Sequence, residues 1–291
     1  MKKKYSLVKN SIGYYEVRPK PSAIELQKYY SKKYYNISNR AYKKNYTKEE
    51  LKYFSVESEI ALKTLIHHSI KINKKLLDLG CGEGFFAKHF KKKDWIVECV
   101  DFSDEGLLRH NPSLISDFIQ ADLVNYFQKS SSKLKNVGLI NLDNVLEHVI
   151  DPIALLKLIK IKMSSKTILR VEVPNDFSKF QSLLLKRGCT KVTWVNAPEH
   201  LSYFNRESLI KLFKKLGFKI ISLQSDFPIE QFLLNKHSNY WKNRALGKAA
   251  HLTRVVVTNY LSEINLDRLI DYREAAADLE FGRVLTAYVS K

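Results

Sequence analysis

Apolar positions along this chain follow two periods. Leu76-Leu77-Asp78-Leu79, Trp95-Ile96-Val97-Glu98-Cys99-Val100-Asp101, Val137 to Leu142, Thr167 to Val173, Phe218 to Leu223 and Arg283 to Val289 are short, nearly continuous apolar runs of strand length. A further strand is expected near Leu114 to Ile119. Between them, apolar residues recur at helical spacing: Leu51, Phe54, Ala61, Leu62, Leu65 and Ile66 up to His68, then Ile153, Leu155, Leu156, Ile159 and Met163, then Leu209, Ile210, Leu212, Phe213 and Leu216. Local start signals agree with these helices. Ser22 with Glu25 and Thr47 with Glu50 have capping-box spacing, Asp151-Pro152 places an acid before a first-turn proline, and Asn205 precedes a helix that Gly217 ends. Strands that alternate with helices imply a mostly parallel sheet covered on both faces.

Residues 1–20 show no clear period and read as an extended lead-in. The stretch 229–278 has helical character and many polar positions, and is expected to form a lid or a dimer surface inserted between the last two strands. The expected organisation is an N-terminal helical extension over 1–73 and one α/β domain over 74–291, with no internal repeat.

The first run passes directly into Gly80-Cys81-Gly82-Glu83-Gly84 and then a helix through about Lys92. Glycines let the backbone turn sharply and approach a ligand, and a helix start offers free amides to an anionic group. A dinucleotide fingerprint of the G-x-G-x-x-G type needs its third glycine at position 85, where this chain has Phe85. Asp101, at the end of the next strand, suits the two hydroxyls of a ribose, or alternatively caps the turn at Ser103-Asp104-Glu105; its occurrence with the glycine turn favours the ribose.

Asp78-Leu79-Gly80-Cys81-Gly82-Glu83-Gly84 resembles the first motif of class I S-adenosylmethionine-dependent methyltransferases, whose fold is a Rossmann-like seven-stranded sheet with an antiparallel last strand. Leu146-Glu147-His148-Val149 with Asp151-Pro152, and Pro198-Glu199-His200-Leu201 with Tyr203-Phe204, are similar to two signatures of the branch that methylates small molecules such as quinone precursors and sugars. The resemblance runs from about Lys74 to Asp226 and resumes at the last strand. It implies S-adenosyl-L-methionine as cofactor and S-adenosyl-L-homocysteine as product. Gly80, Cys81, Gly82 and Gly84 would take the methionine carboxylate and Asp78 the ammonium side; Asp101 would hold the ribose; Phe102, Ala121, Asp122 and Leu123 would surround the adenine, with Asp143 completing the set. Family members often carry an aspartate at the start of the fourth strand. Gly138 stands there in this chain, a departure expected to matter for local structure and not for the cofactor.

A hydroxyl or acidic carbon acceptor needs a base, for which His200 and His148 are the candidates, with Glu147 and Asp143 behind them. Each histidine has a structural alternative: His148 can serve its backbone, and His200 can lock its loop against Tyr203. Cys81 is not expected to act as a nucleophile, because the turn dictates its position. Tyrosines interleaved with lysines from Tyr29 to Tyr35 are similar to lead-ins of enzymes that modify surface polysaccharides, which favours a saccharide, nucleotide-sugar or lipid-linked glycan acceptor; a helix face packed on its own domain is the alternative.

Composition adjusts this picture in two places. The net charge of +19 admits RNA or an anionic membrane as partner, yet the lysines are spread along the whole chain, so nucleic acid is not favoured. An RNA methyltransferase and, from another class, a non-catalytic binding module are the competing readings. No run reaches the roughly 20 apolar residues of a membrane span, and no signal-peptide core follows Met1-Lys2-Lys3-Lys4. Three cysteines without metal-like spacing fit a reducing cytoplasm, and no metal is expected.

Overall fold

The computed structural model describes residues 5–22, 24–26, 29, 44–129 and 133–291. A hairpin of β1 (Ser6–Lys9) and β2 (Tyr15–Arg18) opens the chain where a featureless lead-in was expected. Its turn is built by Asn10, whose side-chain oxygen accepts from the amides of Ile12 and Gly13, both at 3.0 Å. The extension is therefore not wholly helical. Most of the tyrosine and lysine run, from Tyr30 onward, lies outside the described residues.

Helix α1 (Lys48–His67) starts at the capping box read from the sequence, with Thr47 and Glu50 bonded reciprocally. The domain then alternates: β3 (Lys75–Leu79), α2 (Phe85–Lys91), β4 (Ile96–Asp101), α3 (Glu105–His110), β5 (Phe118–Gln120), α4 (Leu123–Lys129), β6 (Leu139–Asp143), α5 (Pro152–Lys162), β7 (Ile168–Pro174) and α6 (Lys179–Lys186). After β8 (Ser202–Tyr203) come α7 (Arg206–Lys215), β9 (Lys219–Ser225), α8 (Gly247–Ile264), α9 (Leu266–Asp278) and β10 (Val284–Ser290). One strand is displaced from expectation. Pro112 to Asp117 form a 3-10 helix that Pro112 opens, with the Leu114 amide bonded to the Asn111 carbonyl at 3.0 Å, and β5 begins only at Phe118.

Seven strands lie in the order β5-β4-β3-β6-β7-β10-β9, and β10 runs antiparallel to both of its neighbours, as the family resemblance implies. Strand order reverses between β4 and β6 around β3, which puts a ligand crevice at the carboxyl ends of these strands. On one face Leu77, Leu79, Ile140, Leu142, Leu169 and Val171 join the larger apolar core under α4, α5 and α7; on the other Leu76, Leu139 and Ile168 pack with Ala61 and Leu65 of α1. Burying one such leucine contributes about 1.5–3 kcal/mol.

The stretch 229–278 lies between β9 and β10 in the chain and packs on the domain: α9 lies on β9, and α8 and α9 both contact α1. Arg273 of α9 forms a two-pronged pair with Glu57 of α1, at 2.8 and 2.5 Å. Among the described residues no helix is long and apolar enough to cross a membrane.

Candidate active site

Between β3 and α2 the chain turns through three glycines in left-handed conformations, Gly80 at φ 75°, Gly82 at φ 53° and Gly84 at φ 74°. Close packing adds to the requirement at Gly80, where a Cβ would lie 2.4 Å from a methyl of Val145. The turn is tied to β4 on one side and to the N-terminal extension on the other. Asp101 Oδ2 accepts from the Gly82 amide at 2.9 Å, and its Oδ1 accepts from Phe102 at 2.7 Å. Tyr46 donates to the Glu83 carboxylate at 2.9 Å, and His110 lies 3.1 Å from the same group. Asp101 is buried, which pushes its carboxyl up against the pull of those amides.

Asp78 begins a polar row across the sheet that the sequence reading did not anticipate. In register, Asp78 pairs with Asn141 and Asn141 with Arg170. Asn141 donates to Asp78 Oδ1 at 2.7 Å, and Arg170 donates to Asn141 Oδ1 at 2.7 Å and to Asp143 at 3.0 Å. Arg170 also pairs with Glu172, which takes a hydrogen bond from Thr286 at 2.9 Å. Asp78 Oδ2 is buried with no hydrogen-bond partner. Burial pushes the Asp78 carboxyl up to about 7, against the hydrogen bond from Asn141. Asp143, two residues beyond Asn141 at the end of β6, gives Oδ2 to Arg170 and Oδ1 to the Asn144 side chain at 2.8 Å.

At the opposite side of the turn, Phe102 is exposed, while Leu123 is buried in the main core. Asp122 spends Oδ1 on capping α4, accepting from Val124 at 2.9 Å and Asn125 at 3.1 Å. The Ala121 amide donates to the Asp101 carbonyl at 3.0 Å, so the ends of β4 and β5 are held together. Cys81 is buried, and a hydrogen bond with Cys99 together with burial pushes its thiol up, which removes nucleophilic character.

His148 and His200 meet although they are far apart in the chain. The Glu147 carbonyl accepts from the amides of Leu201 at 2.8 Å and Ser202 at 3.1 Å, which clamps the 196–203 loop onto the segment after β6. On its other edge β8 pairs with β2, so the hairpin supports this loop. The rings of His148 and His200 lie edge to face, 4.7 Å between centroids. His148 Nδ1 bonds the Glu199 carbonyl at 2.8 Å, and its Nε2 lies 3.7 Å from Glu147 Oε1. Tyr203 holds the loop through its hydroxyl, which donates to the His200 carbonyl at 2.9 Å, so the lock runs through the His200 backbone. Glu147 is only 1% exposed, and burial, with Asp176 and Asp143 nearby, pushes its carboxyl well above the usual range.

A family model for a methyltransferase domain matches residues 50–223, a span that includes the glycine turn, the polar row and both histidines. The chain belongs to this methyltransferase family. By family and by strand order it is a class I S-adenosylmethionine-dependent methyltransferase. Solved structures similar to it include a SAM dependent methyltransferase from Archaeoglobus fulgidus, at 18% identity over 81% of this chain and 94% of that one, with a TM-score of 0.48. Others are the plantazolicin methyltransferase BpumL in complex with SAH (14% identity, 93% and 91% covered, TM-score 0.48) and the cyclopropane synthase MmaA2 from Mycobacterium tuberculosis (15%, 79% and 84%, TM-score 0.47). None of the curated proteins matches the chain.

Within this methyltransferase, the structure brings Asp78, Gly80, Gly82, Gly84 and Asp101 to one crevice at the carboxyl ends of β3 and β4. Asn141 and Arg170, which orient Asp78, escaped the sequence reading. Their signal is a single polar residue interrupting each apolar run, Leu139-Ile140-Asn141-Leu142 and Ile168-Leu169-Arg170-Val171.

Proposed function

We propose that this methyltransferase transfers the methyl group of S-adenosylmethionine to a hydroxyl of a small-molecule acceptor of saccharide or nucleotide-sugar type, as in the branch its signatures resemble. The observation that carries the reading is that β3, β4 and β6 run parallel, which puts Asp78, Asp101 and the segment after β6 with Glu147 and His148 towards one end of the sheet, where His200 joins Glu147 and His148. The donor set fits the cofactor. Asp78 Oδ2 is a buried carboxylate oxygen without a partner, suited to the ammonium; Asp101 has lone pairs beyond those given to amides, suited to ribose hydroxyls; exposed Phe102 offers a ring face to adenine. Asp122 spends Oδ1 on its helix cap, which leaves Oδ2 as its acceptor for the adenine amino group, while Leu123 supports the loop from the core. The saccharide preference is supported by the lead-in: the Tyr29 hydroxyl reaches Glu199, beside His200, at 3.4 Å.

S-adenosylmethionine supplies an electrophilic methyl on a sulfonium. The acceptor oxygen loses its proton and forms the new C–O bond as the S–C bond breaks, with the electron pair leaving on sulfur. His200 and His148 stand where that proton must be lost, so His200→Gln is expected to lower kcat about 10²–10⁴-fold with cofactor affinity unchanged. Labelled cofactor incubated with nucleotide-sugar and transfer-RNA pools provides the test. A methylated sugar nucleotide supports the reading; labelled RNA, or no cofactor binding by calorimetry, sinks it.

Asp78 gives cofactor binding a defined pH dependence. Its raised value leaves the carboxyl mostly protonated below about pH 7 in the free enzyme. The cofactor ammonium pairs with the carboxylate, so binding expels the proton, and affinity rises about eightfold from about pH 6 to about pH 7.5. The free fold runs the other way: it keeps a proton that the unfolded chain loses, so Asp78 costs stability as pH rises from about 4 to about 7. Calorimetry in buffers of different ionisation heat reads the proton release, and Asp78→Asn is expected to flatten the profile.

A further inference from the structure

We propose that Glu147, His148 and His200 bind a divalent first-row transition-metal ion and that this ion holds the acceptor oxygen. The inference rests on the reading of this end of the sheet as the acceptor site, and it assigns the histidines a role as ligands in place of proton acceptors.

One donor atom from each of the three side chains lies within 4.8 Å of the others. An ion with ligand bonds of about 2.0–2.2 Å draws donors to about 4 Å or less of one another, so small side-chain rotations close the set. The Glu147 carboxylate is the independent pointer. It is 1% exposed, and neither oxygen has a hydrogen-bond partner. A buried carboxyl with neither oxygen hydrogen-bonded is costly, and a cation beside it would hold it as the carboxylate. His148 Nε2 lies 3.7 Å from Oε1, too far for a hydrogen bond and an ion pair only when the ring is protonated.

The orientation of His148 suits a ligand. A carbonyl only accepts, so the 2.8 Å contact with the Glu199 carbonyl makes Nδ1 the protonated nitrogen. In the neutral ring the Nε2 lone pair then points to the Glu147 side. Fixing a ring through its far nitrogen on a backbone carbonyl is how proteins commonly orient metal-binding histidines. Rigidity comes from the backbone bonds of Leu201 and Ser202 to the Glu147 carbonyl, which fix the two ligand-bearing segments to each other. Two imidazoles and one carboxylate select zinc, iron, manganese or cobalt over magnesium or calcium, and three protein ligands leave coordination positions for an acceptor oxygen. An oxygen held there loses its proton to solvent near neutral pH, which meets the need for an oxyanion without a separate base.

The full chain, stripped with EDTA, is titrated with Co2+ and followed by its visible d–d absorption. One ion per chain is expected, with affinity reduced about a hundredfold or more in Glu147→Gln and His200→Ala and unchanged in His237→Ala, an exposed histidine outside the set. Circular dichroism and S-adenosylmethionine binding establish that each variant is folded; if Glu147→Gln does not fold, His148→Gln carries the comparison. A folded parent that binds no Co2+, or triad variants that bind it as the parent does, overturns the site, and methyl transfer at full rate in excess EDTA overturns its role. Stoichiometric Co2+ binding without transfer to any acceptor keeps the site and sinks the proposed reaction.

Discussion

Replacing Asp101 with alanine is expected to abolish S-adenosylmethionine binding, seen by calorimetry as an affinity loss of a hundredfold or more in a chain that remains folded. Two losses combine. Hydrogen bonds to a charged acceptor contribute about 1.5–3 kcal/mol each, so removing two to the ribose costs more than the roughly 2.7 kcal/mol that corresponds to a hundredfold. Alanine also releases the amides of Gly82 and Phe102, which Asp101 holds at 2.9 and 2.7 Å, and so loosens the turn that must receive the methionine end. Asp101→Asn separates the two effects. It keeps one acceptor oxygen for Phe102 but turns an NH2 group toward the Gly82 amide, and an intermediate affinity is expected. Cofactor affinity in Asp101→Ala equal to that of the parent would show that the acid only caps its loop.

Elements whose signals are local were legible in the sequence. Thr47 with Glu50, Asp151 with Pro152, and Asn205 each open a helix in the structure, because a cap is satisfied within a few residues of itself. The six apolar runs became six of the seven strands, and the glycine turn fell between β3 and α2. What escaped depends on register between distant segments. Asp78, Asn141 and Arg170 are separate interruptions in three strands, and only the alignment of β3, β6 and β7 makes them neighbours. The same holds for His148 and His200, which the bonds at the Glu147 carbonyl bring together. The N-terminal hairpin had a local signal that went unread: Asn10 and Gly13 lie between Leu7-Val8 and Tyr15 to Val17, a turn between alternating runs. Such a short hairpin has little stability alone; it is ordered by pairing with β8, which no local pattern announces.

Restoring the aspartate that the family often carries at the start of the fourth strand is expected to damage this protein, although the position is remote from the crevice. A Cβ on Gly138 would lie 1.9 Å from the Asn73 carbonyl oxygen and 2.9 Å from its carbonyl carbon. Neither backbone is free to retreat. Gly138 donates to the Lys75 carbonyl at 2.9 Å and accepts from Ile168 at 2.8 Å, while the Asn73 carbonyl accepts from Lys75 at 2.8 Å. These bonds join the entry to β3 with the starts of β6 and β7, so relief of the clash means breaking sheet pairing at the centre of the domain. Overpacking against a fixed wall costs about 1–3 kcal/mol, and more where backbone must move. With about 2–4 °C lost per kcal/mol in a chain of this size, Gly138→Asp is expected to melt about 10 °C below the parent or to accumulate as insoluble protein. Gly188→Ala is the control: at φ 64° with nothing within 4 Å of a new Cβ, it carries only the left-handed backbone cost of about 1–2 kcal/mol. Equal melting temperatures for Gly138→Asp and the parent would refute the steric account. A large drop for Gly138→Asp and a small one for Gly188→Ala would show that this chain lacks the family aspartate because the link from α1 to β3 occupies its space.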